Sequence, residues 1–312
     1  MIDINVIRND KAAVKAALEK RGYDADLDGI LKLDEERRAV IGRTEALKAE
    51  KNKVSADVPR LKKAGENVEP VFARMRELGN EISANDEKLK AVEEKLRHEL
   101  LCLPNMPDPD VVAGGKENNE IVKVFGKKPE FDFPIKNHVE LCEGLKLIDY
   151  ERGVKLAGNG SWLYTDRGAI IEWALLNYFI KTHLKDGYKF ILPPHMLNYD
   201  CGLGAGQFPK FEDDVYRIET ADDAASRRFM LPTAETALVN IYRGEILASD
   251  ELPKKLFAYT PCYRKEAGSY RAEERGMIRG HQFDKVEMVQ VTKPEQSKAA
   301  FEELVGKACA LV

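Results

Sequence analysis

Within twenty positions, 264 to 283, the chain gathers four arginines (Arg264, Arg271, Arg275, Arg279), Lys265, three glutamates (Glu266, Glu273, Glu274) and Phe283. Glycines punctuate the stretch at 268, 276 and 280. A guanidinium presents a planar fork of donors that matches pairs of phosphate oxygens, and a phenyl ring offers a flat face to a nucleobase. That combination suits a nucleoside triphosphate. It suits a salt-bridged surface loop equally well, and spacing alone leaves both readings open. Residues 256–263 and 284–291 on either side read as strands, which makes the charged stretch a long hairpin loop. In the second strand Val286, Met288 and Gln290 share one face, Glu287 and Val289 the other.

The elements that would carry this loop are α+β in character. Residues 169–185 are helical and apolar on most faces, so that helix belongs in a core or against a second subunit. Residues 189–192 read as a strand closed by Pro193 and Pro194, and residues 233–242 as a helix. An antiparallel sheet is expected. Neither a G-x-G-x-x-G turn nor a P-loop occurs in the chain, which argues against dinucleotide-binding and P-loop chemistry.

The first third is different. From 31 to 100 there are 16 Lys/Arg and 15 Asp/Glu, a density suited to a helix exposed on most faces. Leu33, Val40, Leu47, Val54 and Leu61 recur every seven residues, with polar Arg37, Thr44 and Lys51 between them. Val71, Met75, Leu78, Ile82, Asn85, Leu89, Val92 and Leu96 step by four and three. Such repeats define a coiled coil. Pro59 is expected to break the first helix and Gly65 to free the turn, giving an antiparallel hairpin with its tip at 55–68. So thin a seam projects into solvent. Between 51 and 75 the hairpin carries six basic residues against three acids, either a solvated tip or a surface for a phosphate backbone. A short helix over 11–20, capped by Asp10 and ended at Gly22, precedes it. Pro104, Pro107 and Pro109, then Gly114-Gly115, mark a linker. The expected organisation is a helical domain at 1–103, a linker at 104–120 and a second domain at 121–312.

Composition narrows the classes further. The 312 residues carry a net charge of -4, with 33% charged and 44% hydrophobic residues. A uniformly basic nucleic-acid coat is excluded, and so is global disorder. No apolar run reaches the ~18 residues of a membrane span, and Met1-Ile2-Asp3-Ile4 does not begin a secretory signal. Five scattered cysteines form no C-x-x-C pair, so a zinc knuckle or disulfide framework is not expected and a reducing cytoplasm is. Cys262 reads as a small apolar strand residue.

Arg264-Lys265-Glu266, the loop, and His281-Gln282-Phe283-Asp284-Lys285-Val286-Glu287 together resemble motif 2 of the class II aminoacyl-tRNA synthetases, in its seryl-tRNA synthetase form. Gly204-Ala205-Gly206-Gln207-Phe208-Pro209-Lys210-Phe211 is similar to that family's G-T-G-Q-L-P-K-F. Leu231-Pro232-Thr233-Ala234-Glu235 resembles its serine-binding T-A-E segment, and Gly187 through Pro194 resembles motif 1, which makes its dimer interface. The resemblance covers essentially the whole chain and favours the bacterial type. The loop 270–276 departs from the family's A-G-R-D-T-R-G, which leaves open which loop arginine meets the acceptor end of the tRNA.

The resemblance implies a catalytic sheet of class II type flanked by helices, behind a tRNA-binding coiled-coil arm. It implies activation of L-serine by ATP to seryl-adenylate, then transfer to the 3′ end of tRNA(Ser), with Mg²⁺ on the phosphates and a homodimer as the working form. Arg264 would be the catalytic residue, at the α-phosphate. Lys265 (through its backbone), Glu266, Arg279 and Phe283 would complete the ATP site, with Glu266 on the adenine amino group, Phe283 stacked on the ring and Arg279 on the terminal phosphates. Thr233 and Glu235 would hold the serine ammonium, with the backbone of Ala234 lining the pocket and Glu287 on the hydroxyl. No metal ligand is expected from the protein. Motif 3 would lie beyond Val312, so a C-terminally truncated copy is expected. A non-catalytic synthetase-like binder of tRNA or another partner stands as the alternative, and a coiled-coil scaffold leaves the downstream motifs unexplained.

Overall fold

The computed structural model describes residues 1–219, 227–266 and 276–312. The described chain forms two compact units, Met1–Gly126 and Lys127–Val312.

The first unit begins with α1 (Ile4–Asn9) and α2 (Lys11–Lys20), the second capped by Asp10, whose carboxylate accepts from the Ala13 amide at 2.9 Å. Two long helices follow, α3 (Leu27–Lys63) and α4 (Glu69–Cys102). At ~1.5 Å per residue, the 37 residues of α3 reach about 55 Å. The heptad positions face the partner helix: Val40, Leu47, Leu78, Val92 and Leu96 are buried, along with the polar seam residue Thr44. Ion pairs lace the rims antiparallel, Arg74 to Glu50 at 2.8 Å and Lys88 to Glu36 at 2.8 Å.

Pro59 does not break α3, contrary to expectation; the helix runs through it. A proline inside a helix deletes one hydrogen bond and crowds a carbonyl, a cost of ~3 kcal/mol, which the pairing with α4 absorbs. The real stop is Gly65 at φ +70°. Gly65 and Glu66 donate their amides back to the carbonyls of Lys62 and Leu61 at 3.2 and 3.0 Å, the Schellman pattern that a left-handed residue makes possible. The turn therefore lies at 64–68, at the end of the expected tip.

At the base of the arm, fully buried Asp34 accepts from Arg8 at 2.9 Å and Arg38 at 3.1 Å, with Arg37 at 3.5 Å. Removing one partner of a fully buried ion pair costs ~3–5 kcal/mol. Because these arginines are a third to a half exposed, Asp34→Asn is expected to destabilise this unit by about 2–3 kcal/mol, read from urea unfolding. Unchanged stability would show that Asp34 is dispensable there.

The second unit opens with α5 (His138–Gly144), β1 (Ile148–Asp149), α6 (Tyr150–Ala157) and β2 (Leu163–Tyr164). The apolar helix is α7 (Arg167–Lys185), followed by β3 (Lys189–Ile191), β4 (Met196–Leu197) and α8 (Tyr199–Gly204). Then come β5 (Arg217–Ile218), β6 (Arg228–Met230), α9 (Glu235–Leu238), β7 (Lys254–Tyr263), β8 (Gln282–Val291) and α10 (Ser297–Leu311). The main sheet has the order β3-β7-β8, and β4-β6-β5 form a smaller antiparallel one. Strands β7 and β8 pair antiparallel over their full length, as expected. Strand β3 instead runs parallel to β7, Lys189 opposite Leu256; the long excursion between them, through α8, the small sheet and α9, supplies the crossover a parallel pair needs.

Phe208, Phe229, Leu231, Leu238, Leu256 and Ala258 form the core between the sheets. Gly202 lets the Phe208 ring against the backbone: a Cβ there would lie 2.3 Å from the ring. Helix α9 is shorter than the expected 233–242. Asn240 Nδ2 donates to the carbonyls of Thr236 and Cys201 at 2.9 and 3.0 Å, and the chain beyond Leu238 tightens into turns. A side chain that hydrogen-bonds backbone carbonyls in this way competes with the helical ladder.

Candidate active site

Alternation along β8 sets Phe283, Lys285 and Glu287 on one face. Their β7 partners are Cys262, Thr260 and Ala258, all fully buried and all small. A floor of small residues leaves room above it for larger polar groups, and the segment 231–235 with α9 supplies the opposing wall. Cys262 is the small core residue expected, and burial pushes its thiol pKa up.

Glu287 organises the pocket. Its Oε2 accepts from the Thr233 hydroxyl at 2.5 Å, the Glu235 amide at 2.9 Å and Lys285 Nζ at 3.0 Å. Lys285 Nζ also donates to Thr233 Oγ1. One carboxylate oxygen thus holds an ammonium, a hydroxyl and an amide, a strong charge-assisted set. Glu235 opens towards solvent, yet burial of its carboxyl and the like charge of Glu287 push its pKa up, against the opposing pull of Lys285. Ala234 is fully buried in the core, so only its backbone can serve the pocket.

Arg264 follows directly on β7. Its amide donates to the His281 carbonyl at 2.9 Å, and its own carbonyl contacts His281 Nδ1 at 3.1 Å. Its Nε donates to the Pro232 carbonyl at 3.1 Å, and the guanidinium lies 5.0 Å from the Phe283 ring centroid. The guanidinium is thereby fixed next to Thr233 and, through it, next to Glu287. The Lys265 amide donates to the Asp214 carbonyl at 2.9 Å while its side chain is exposed. Glu266, at φ +51°, pairs with Arg279: Nε lies 2.6 Å and Nη2 2.5 Å from its Oε2.

A cavity of about 340 Å³ opens between these groups, lined by Gln207, Phe211, Thr233, Arg264, Glu266 and Arg279 among others. Gln207 is oriented by Thr236, whose hydroxyl donates to Oε1 at 3.1 Å. Phe283 lines a second cavity of about 540 Å³ with Tyr216, Tyr263 and His281. The structure therefore brings Thr233, Glu235 and Glu287 together as one cluster, and Arg264, Glu266 and Arg279 as another, joined at Pro232-Thr233. Arg271 and Arg275 lie outside the described residues. Among the described residues, no three His, Cys, Asp or Glu side chains group in a way that could hold a metal ion. Lys285 joins the site without having been expected there; its position two residues before Glu287 on the same strand face is the signal that points to it.

An antiparallel pair of strands that aims arginine and glutamate from its connecting loop, opposite a T-A-E segment, defines the catalytic unit of a class II aminoacyl-tRNA synthetase. Residues 216–310 match the family described as tRNA synthetase class II core domain (G, H, P, S and T). Residues 1–107 match the seryl-tRNA synthetase N-terminal domain. Serine–tRNA ligase 2 of Clostridium acetobutylicum is 57% identical over 100% of this chain and 74% of its own length. The serine–tRNA ligase of Staphylococcus haemolyticus is 43% identical over 100% of this chain and 72% of its own. The crystal structure of seryl-tRNA synthetase from Pyrococcus horikoshii complexed with ATP superposes with a TM-score of 0.88 at 28% identity, covering 100% of this chain and 74% of that one. The chain belongs to the seryl-tRNA synthetase family.

Proposed function

We propose that this chain works as a serine–tRNA ligase through the two clusters just described. The observation that carries the reading is the closeness of Arg264, just past the end of β7 and anchored on the Pro232 carbonyl, to Thr233, whose hydroxyl donates to Glu287 in the middle of β8. Serine enters with its ammonium towards Thr233 and Glu235 and its hydroxyl towards Glu287. ATP lies across Arg264, with its adenine between Glu266 and the Phe283 ring and its terminal phosphates at Arg279. The Glu266–Arg279 ion pair keeps both side chains at the rim until ATP offers an adenine amino group to one and phosphate oxygens to the other.

The serine carboxylate oxygen attacks the α-phosphorus, pyrophosphate leaves, and seryl-adenylate forms. Arg264 stabilises the charge that develops on the α-phosphate oxygens, the kind of preorganised help that often dominates catalysis. The terminal ribose hydroxyl of the tRNA then attacks the seryl carbonyl and AMP leaves. No enzyme nucleophile is needed; positioning and charge do the work. Mg²⁺ would neutralise the phosphates. L-Serine-dependent exchange of pyrophosphate into ATP tests this reading, and no exchange above the serine-free control would refute it.

The arm is proposed as the tRNA contact. Its turn is flanked by Arg60, Lys62 and Lys63 on α3, with Lys62 Nζ 5.8 Å from the Phe72 ring centroid on α4. Replacing Lys62 and Lys63 by glutamine is expected to weaken tRNA binding and reduce the salt slope by about one for each phosphate no longer neutralised. An unchanged slope would return the tip to a merely solvated surface. A homodimer is proposed across α7, where Ile170 (65% exposed) and Ile171 are exposed beside Trp173 (53% exposed), whose ring also packs on Tyr259 of β7 at 5.6 Å. A contiguous apolar face of this kind suits a second copy. No helix among the described residues is long and apolar enough to cross a membrane. A cytoplasmic setting, where tRNA and ATP are at hand, is proposed with the rest.

A further inference from the structure

Lys285 belongs to none of the roles above, yet it occupies the acceptors that those roles reserve for substrate. Its Nζ sits on Thr233 Oγ1 and 3.0 Å from Glu287 Oε2. L-Serine must present an ammonium and a hydroxyl to the same cluster. The lysine ammonium stands where a substrate ammonium would go, and it offsets two neighbouring carboxylates, Glu235 and Glu287, that would otherwise repel each other. The Lys285 side chain retains 30% exposure, and a lysine stem of four carbons with a compact charged head can swing without moving the strand.

We propose that Lys285 is a specificity-determining residue that exchanges partners on binding: the substrate ammonium displaces it from Thr233 and the substrate hydroxyl from Glu287, and it takes the substrate carboxylate instead. This rests on the serine-pocket reading of Thr233, Glu235 and Glu287. The exchange conserves ion pairs only for a zwitterion. An amine that brings no carboxylate must displace Lys285 and leave it without a counter-charge. Lys285 therefore selects α-amino acids over amines that carry the same ammonium and hydroxyl, and holds the carboxylate in place for its attack on phosphorus.

Ethanolamine, which is serine without the carboxylate, separates this role from a structural one. Binding of L-serine and of ethanolamine is measured by calorimetry on the wild-type chain and on Lys285→Met. Losing a charged hydrogen bond to the carboxylate should weaken L-serine by ~10-fold or more. Ethanolamine, relieved of its competitor, should bind as well as before or several-fold more tightly. In exchange kinetics the loss should fall on KM for serine more than on kcat. Equal weakening of both ligands, or undiminished serine binding, overturns the proposal. Lys285→Arg covers the case in which the methionine variant does not fold: it keeps a cation and should keep the preference for serine over ethanolamine, and loss of that preference overturns the proposal too. If the wild-type chain binds no serine at all, the pocket reading fails first, and the wild-type titration reports that separately.

Discussion

Replacing Arg264 with alanine lowers serine-dependent exchange of pyrophosphate into ATP by ~10²–10³-fold in kcat, the usual cost of removing one preorganised donor from a developing oxyanion. The expectation follows from how the side chain is held. Its backbone is tied to His281 on both sides, its Nε is anchored on the Pro232 carbonyl, and its guanidinium carbon sits over the Phe283 ring, 5.0 Å from the centroid. A guanidinium fixed this way needs little reorganisation when charge appears at the α-phosphate. Structural damage is a smaller effect. The cation–π contact with Phe283 contributes only ~0.5–2 kcal/mol, and Arg264 follows a strand whose ladder to β8 ends at Tyr263 and does not involve its side chain. Arg264→Lys keeps the charge but loses the planar fork, so recovery should be partial. The measurement is steady-state exchange at saturating ATP and serine, with thermal unfolding alongside. Exchange retained near the wild-type rate, with the protein folded, would take the catalytic role away from Arg264.

How much of this is legible in the sequence depends on how local each signal is. The arm is readable because a seven-residue repeat declares its buried face directly, and Val40, Leu47, Leu78, Val92 and Leu96 are buried as that repeat requires. Pro59 misleads because its penalty is local while the pairing that outweighs it spans the hairpin. The motif residues come from the resemblance, and the T-A-E segment does lie against the β8 glutamate. What the sequence hides is non-local. The parallel pairing of β3 with β7 joins positions 67 residues apart (189 and 256). The early end of α9 depends on Asn240 reaching Cys201. The Glu266–Arg279 pair closes the loop's ends across thirteen positions. Lys285 is a different kind of miss. The alternation that places Glu287 places it too, but a lysine on a strand face reads as a solvated charge until the Thr233 hydroxyl is seen beside it.

Substituting Glu287 should have the other large effect, in two separable parts. Its Oε2 is the common acceptor for the Thr233 hydroxyl, the Glu235 amide and Lys285 Nζ. Glu287→Ala leaves those donors without that acceptor and removes the group proposed for the serine hydroxyl. A site built to bond a hydroxyl rejects the analogue lacking it by as much as ~10⁴–10⁵. kcat/KM for serine is expected to fall by ~10²-fold or more, while that for alanine falls far less, so discrimination between the two collapses. Glu287→Gln isolates the charge. In the wild type, burial and the like charge of Glu287 hold the Glu235 carboxyl above the ordinary carboxylate range. Glu235 binds the substrate ammonium only when ionised, so kcat/KM for serine should decline on the acid side at a higher pH than an ordinary carboxylate would set. Removing the negative charge at 287 lowers the Glu235 pKa, and the acid limb should shift to lower pH even as the plateau drops. That limb reports the free enzyme, so the shift belongs to the pocket before serine binds. An acid limb that stays in place in Glu287→Gln would mean that Glu235 and Glu287 do not share a field, and serine would have to be held by a different pair of carboxylates.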